Sequence, residues 1–72
     1  MECTKTIGEY KFIVKIWHTE SADSYIINSE EFYYQNGAPT KRELIPTTYL
    51  RRFDRVADDC MFDYCEKLEN GD

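Results

Sequence analysis

The chain has 72 residues, 42% of them hydrophobic and 15% aromatic, and its 14 Asp and Glu outnumber nine Lys and Arg to leave a net charge of −5. A domain of this length, read as a single unit over residues 1–72, buries only about 60% of its unfolded surface and has little volume for an enclosed active-site pocket. The aromatic share excludes a disordered chain, and the acidic balance argues against bulk attraction to nucleic acid or anionic lipid.

Residues 1–8 carry no clear period and read as a loose lead-in to a sheet region spanning residues 9–45. The chain opens Met1-Glu2-Cys3-Thr4, and no apolar run approaches the ~18 residues of a membrane span. Neither a secretory leader nor a spanning helix is expected, which points to a soluble cytoplasmic protein with no membrane partner. Cys3, Cys60 and Cys65 are an odd number without a C-x-x-C pair. That pattern fits reduced thiols better than a disulfide frame or a four-ligand zinc site. No metal or other cofactor is expected.

From Tyr10 to His18 the chain alternates, with Tyr10, Phe12, Val14 and Ile16 on one face and Lys11, Ile13, Lys15 and Trp17 on the other. Period two with β-branched and aromatic residues defines a strand. The polar stretch Thr19 to Asp23 reads as a turn, and Ser24 to Asn28 as the return strand of a hairpin. The next segment has two readings. Asn28 and Glu31 have capping-box spacing for a short helix ended by Gly37. Phe32, Tyr33 and Tyr34 instead favour continuation of the sheet, which is the preferred reading, with a turn at Asn36-Gly37-Ala38-Pro39 and a further strand over residues 41–45.

Beyond Pro46, either Thr47 or Thr48 can cap a helix, and Asn70-Gly71 supplies its stop. Leu50, Phe53, Val56, Ala57, Cys60, Tyr64 and Leu68 recur at three- and four-residue spacing, so residues 47–69 form an amphipathic helix. The expected fold is α+β: a small antiparallel sheet of two or three strands packed by one long C-terminal helix, in the order β-β-(β)-α.

No motif dictates a reaction. Asp54 and Asp58, or Asp59 and Asp63, lie one helical turn apart and could approach a hard cation, but Arg55–Asp59 and Asp63–Lys67 pairs on a solvated face explain them more simply. A Cys–His pair needs hydrogen-bond reach and a low-pKa thiol. His18 sits at a strand end, Cys65 on the helix flank and Cys3 in the N-terminal lead-in, so no catalytic pair is expected. Cys60 reads as a small core residue. The three glycines are isolated, so no phosphate-binding loop is present. The protein is therefore expected not to be an enzyme.

Charge and exposed apolar side chains say more. Residues 1–40 carry three Lys and six acids (−3), residues 41–55 five Lys or Arg and two acids (+3), and residues 56–72 one Lys and six acids (−5). The helix thus begins with Arg51, Arg52 and Arg55 and continues through Asp58, Asp59, Asp63, Glu66 and Glu69, against the preference of its macrodipole. Phe62 lies about 180° from Phe53 on the helical wheel, among those charges. Ile13 and Trp17 share the strand face opposite the core. Exposed aromatics rimmed by charge are favoured interface anchors.

The expected function is that of a small acidic binding or inhibitor protein that docks on another protein, or a protein–nucleic-acid complex, with a basic surface. Its contact residues are Ile13, Trp17, Phe62, Asp58, Asp59, Asp63, Glu66 and Glu69. A homodimer through Ile13 and Trp17 fits the same pattern. In size, acidity and want of a catalytic motif the chain resembles small phage and mobile-element proteins that block host complexes, anti-CRISPR and anti-restriction proteins among them. That resemblance is one of style over the whole chain and implies no residue roles. Two alternatives use the same charges: a nucleic-acid mimic built on the acidic helix, or an RNA- or phosphate-binding patch of Lys41, Arg42, Arg51, Arg52 and Arg55 at the helix start.

Overall fold

A computed structural model describes residues 1–71, which form β1 (Glu2–Ile7), β2 (Tyr10–Ser21), β3 (Ser24–Gln35), β4 (Ala38–Pro39), a 3-10 turn (Arg42–Leu44) and the helix α1 (Thr47–Glu69). The strands make one antiparallel sheet in the order β1-β2-β3-β4. The α+β arrangement and the helix at residues 47–69 follow the sequence pattern.

Each strand pairs with its neighbour in the chain. Tyr10 faces both Ile7 of β1 and Gln35 of β3, and the long hairpin runs without interruption to Ser21 opposite Ser24. The strand pattern therefore outruns the turn expected at residues 19–23, because β-branched and polar residues there still pair. The second turn is shorter than the expected Asn36–Pro39, because Ala38–Pro39 form β4: Asn36 (φ 51°) and Gly37 (φ 82°) take the two left-handed positions of a tight hairpin turn, where Asn and Gly are the least strained residues.

Four expectations are corrected. Residues 1–8 are not loose, since Glu2–Ile7 completes the sheet as β1, and its alternation was hidden by threonines and lysine. The sheet consequently has four strands rather than two or three. Residues 41–45 do not form a strand, because Arg42–Leu44 turn into a 3-10 segment that brings the chain onto the helix axis. At the helix start Pro46, with an extended ψ of 138°, occupies the capping position and neither Thr47 nor Thr48 caps through its side chain. Proline supplies the required φ for helix entry without a side-chain hydrogen bond.

The core lies between α1 and one face of the sheet. Phe12, Val14, Ile16 and Phe53 are fully buried, joined by Tyr10, Ile45 and Cys60. The Phe12 ring stacks on Phe53 (5.3 Å between centroids) and tilts against Tyr33 of β3 (5.2 Å), while Tyr10 meets Tyr49 at 5.5 Å. Five residues of the predicted helix stripe besides Phe53 pack in this layer: Leu50, Val56, Ala57, Cys60 and Tyr64. Successive partners, Tyr10 with Tyr49, Phe12 with Phe53 and His18 with Tyr64, show that α1 runs parallel to β2 along its length.

Cys3 of β1 and Cys60 of α1 form a disulfide across a separation of 57 residues. This corrects the reading of three reduced thiols. Odd counts say nothing about which two sulfurs the fold brings together, and Cys65 is left free on the helix flank. Closing so long a loop restricts the unfolded chain by about 4 kcal/mol in the chain-entropy account. Reduction is expected to lower the unfolding free energy by about 2–4 kcal/mol, and Cys3→Ser to do the same while abolishing the response to reductant. Urea titrations with and without reductant measure both.

Candidate protein-binding surfaces

The helix covers only one side of the sheet, so the residues singled out by sequence fall on two opposite surfaces. Ile13 and Trp17 project from β2 away from α1. Phe62 projects from the outer side of α1. Neither the sheet nor the helix brings them together.

On the open sheet face, Trp17 is 43% exposed and Ile13 is half-buried. The N-terminal segment does not cover them, because β1 lies beside β2 rather than across it. Register adds neighbours that the sequence reading did not name: Phe32 opposite Ile13, Tyr34 opposite Lys11, and Glu30 opposite Lys15. The Lys15 ammonium sits over the Phe32 ring, 5.5 Å from its centroid. Ile26, 54% exposed, extends the patch toward the hairpin tip. A shallow concavity of about 280 Å³ is lined by Lys11, Ile13, Tyr34 and Gly37. Period two from Ser24 onward was the signal for these β3 residues, obscured by the competing helix reading of the same stretch.

On the outer helix face, Phe62 is 69% exposed, the most of any exposed large hydrophobic side chain described. Asp58, Asp59, Asp63, Glu66 and Glu69 are all exposed around it or on its flank. The expected Arg55–Asp59 and Asp63–Lys67 pairs do not form; among the described residues the salt bridge is Arg42–Asp54. Among the described residues, the acids on the second half of α1 thus make no salt bridge.

All five basic residues at the helix start are exposed, and among the described residues Arg42 is the one held in a salt bridge. Arg51 and Arg55 lie a turn apart on the outer face, and Lys41 is exposed before the 3-10 turn. Arg42 is exposed but engaged: its two terminal nitrogens each donate to an Asp54 carboxylate oxygen at 2.8 Å, and one also donates to the Tyr33 hydroxyl at 2.7 Å. Tyr33 in turn donates to Glu31 at 2.9 Å, which ties β3 to α1 through a chain of four polar groups. Asp54, one of the carboxylates considered for a cation, thus has both oxygens engaged by Arg42. No three His, Cys, Asp or Glu side chains among the described residues gather in metal-binding range.

The hydrogen bonds from Arg42 hold the Asp54 carboxyl below its ordinary value, and those to Asp54 and then Tyr33 raise the Arg42 guanidinium. Burial pushes the Tyr33 phenol upward, with the Arg42 hydrogen bond opposing it and Glu31 adding to it.

His18 lies on the Phe12 face, as its alternation requires, and its Nδ1 hydrogen-bonds the Tyr64 hydroxyl while its ring meets Tyr25 edge-on at 5.0 Å. No described helix is long and apolar enough to cross a membrane. No protein family, curated protein or solved structure matches the chain.

Asp54 has a depressed folded pKa, so its pair stabilises above the ordinary carboxylate value of 3.8 and that contribution is lost as pH falls through the lowered folded value. With both side chains close to half exposed, solvent screening keeps the pair at about 1 kcal/mol or less. Asp54→Asn is expected to lower the unfolding free energy read from urea titration by that amount at pH 7, and the difference from the parent to shrink as pH falls through the lowered folded value.

Proposed function

We propose that this chain is a non-enzymatic binding protein that docks on a protein with a basic surface through the acidic half of α1, with Phe62 as the central anchor. The observation that carries this reading is the exposure of Phe62 at 69%, set in a face of unpaired carboxylates. An exposed large aromatic rimmed by charge offers apolar area that a partner gains by removing from water. The surrounding acids steer that partner and select its charge, since electrostatic complementarity governs encounter and choice of partner more than raw affinity. Inhibition then means occupying a basic site that the partner uses for another ligand. Trp17 and Ile13, on the far side, serve a second contact or a second copy.

The reading without catalysis is supported by how the reactive side chains are engaged. His18 is turned to Tyr64, and Cys3 and Cys60 are joined to each other. The cytoplasmic setting expected from the cysteine count and the Cys3–Cys60 bond pull in different directions, because reducing compartments hold such pairs as thiols. Thiol counting on protein isolated from its native cell decides between them.

The test is a tagged pull-down from that cell, with bound proteins identified and the complex mass read by light scattering. Phe62→Ala is expected to weaken the retained partner ~30-fold or more, the scale of a hot-spot residue, and Asp58→Lys with Asp59→Lys to abolish the salt dependence of binding. Retention unchanged by both variants overturns the reading. A gel shift of RNA by the wild-type protein at low salt favours the basic helix start instead.

A further inference from the structure

Most of the outer edge of β3, away from the helix face that carries Phe62, has no strand beside it. β4 pairs only with the end of β3, Tyr34 opposite Pro39 and Gln35 opposite Ala38. The Thr40 amide donates to the Tyr33 carbonyl at 2.9 Å across that edge, so the odd-numbered residues of β3 turn their backbone groups away from β2. Tyr25, Ile27, Ser29 and Glu31 therefore each present an N–H and a C=O outward with no strand beside them. An unpaired run of this length is a template for strand addition. The edge of β1 is shorter, with Glu2, Thr4 and Thr6 outward by the same parity, since Met1 and Ile16 exchange backbone hydrogen bonds.

The side chains along the β3 edge have a polarity of their own. Tyr25 and Ile26 are exposed and Ile27 half-buried at its start, whereas Glu30 and Glu31 are exposed at its end. From Ile16 to Thr40 the chain holds Glu20, Asp23, Glu30 and Glu31 and not one Lys or Arg. A second copy pairing through this same edge would bring the same acids and no base to meet them. Cross-strand pairs of opposite charge stabilise and like charges oppose, so charge selects a different occupant.

We infer that the free edge of β3 accepts an extended segment of a basic protein as an added antiparallel strand, with apolar residues opposite Tyr25–Ile27 and Lys or Arg opposite Glu30 and Glu31. Backbone hydrogen bonds supply the attachment, and the apolar-to-acidic gradient fixes its direction. Ser29 is the central position, because its N–H points outward and its side chain is exposed.

The probe is the capped peptide acetyl-Lys-Lys-Thr-Thr-Val-Ile-Val-Thr-amide, with two controls: the same peptide with Glu-Glu at its start, and a version N-methylated at alternate residues. The Lys peptide is expected to bind and to slow hydrogen exchange at the amides of Tyr25, Ile27, Ser29 and Glu31, while both controls bind at least tenfold more weakly. Ser29→Pro removes one outward donor without touching the β2 ladder and is expected to weaken the Lys peptide at least tenfold. Glu30→Lys with Glu31→Lys keeps the backbone intact and is expected to exchange preference from the Lys to the Glu peptide. Phe62→Ala is expected to leave peptide binding unchanged, so this inference and the helix-face reading fail separately. Equal binding of the N-methylated peptide overturns strand addition. So does a dimer seen by light scattering that Ser29→Pro dissolves, because the edge then belongs to a second copy.

Discussion

Phe12 is the point at which three elements of this small protein, β2, β3 and α1, meet. Its ring has no solvent exposure, stacks on Phe53 of α1 and leans on Tyr33 of β3. One side chain on β2 thereby sets where the helix sits and which face of β3 turns inward. A one-residue slip of β2 would turn Phe12, Val14 and Ile16 to water and bring Lys11, Ile13 and Lys15 beneath the helix. So short a core cannot absorb that error, and every surface feature inherits its position from this register.

The parts of the fold that were legible in the sequence are those in which burial writes a clean period. β2 alternates without exception from Tyr10 to Trp17, and the α1 stripe repeats at three and four residues from Leu50 to Tyr64. β1 was illegible because its inward positions, Cys3, Lys5 and Ile7, mix a thiol, a cation and a hydrophobe, and because half-buried edge strands need few apolar residues. The 3-10 segment was missed for a different reason. Its chain direction is set by where Ile45 must enter the core, a tertiary demand with no local signature. The Cys3–Cys60 bond belongs to the same class, since only the packing of α1 over β1 makes the two sulfurs neighbours.

Of the candidate surfaces, the helical wheel identified Phe62 and its acidic surroundings, because exposure on a single helix depends on angle alone. Trp17 and Ile13 were placed on the correct strand face, but their β3 neighbours Phe32, Tyr34 and Ile26 required the register of a strand whose type was ambiguous. The ion pairs were the least legible. Arg42 and Asp54 are twelve residues apart and find each other through the chain reversal between the sheet and α1, whereas the local i,i+4 pairs do not form. Arg42 meets the Asp54 carboxylate with two parallel hydrogen bonds and the Tyr33 hydroxyl with a third, a bidentate geometry that its planar guanidinium suits.

The disulfide divides the molecule in a way that its elements do not. Joining Cys3 to Cys60 makes a covalent ring that contains the whole sheet, the 3-10 turn and the first half of α1. The turns of helix after Cys60 hang outside that ring as a tail, fastened mainly by Met61 and by Tyr64 against His18. Fraying from the C-terminus can pass through those turns without opening the ring, so the tail has a lower local unfolding free energy than the rest of the helix. Phe62, Asp63, Glu66 and Glu69 all lie on that tail. The surface with the most exposed aromatic is thus also the one that can reshape itself, while the ring behind it keeps the fold.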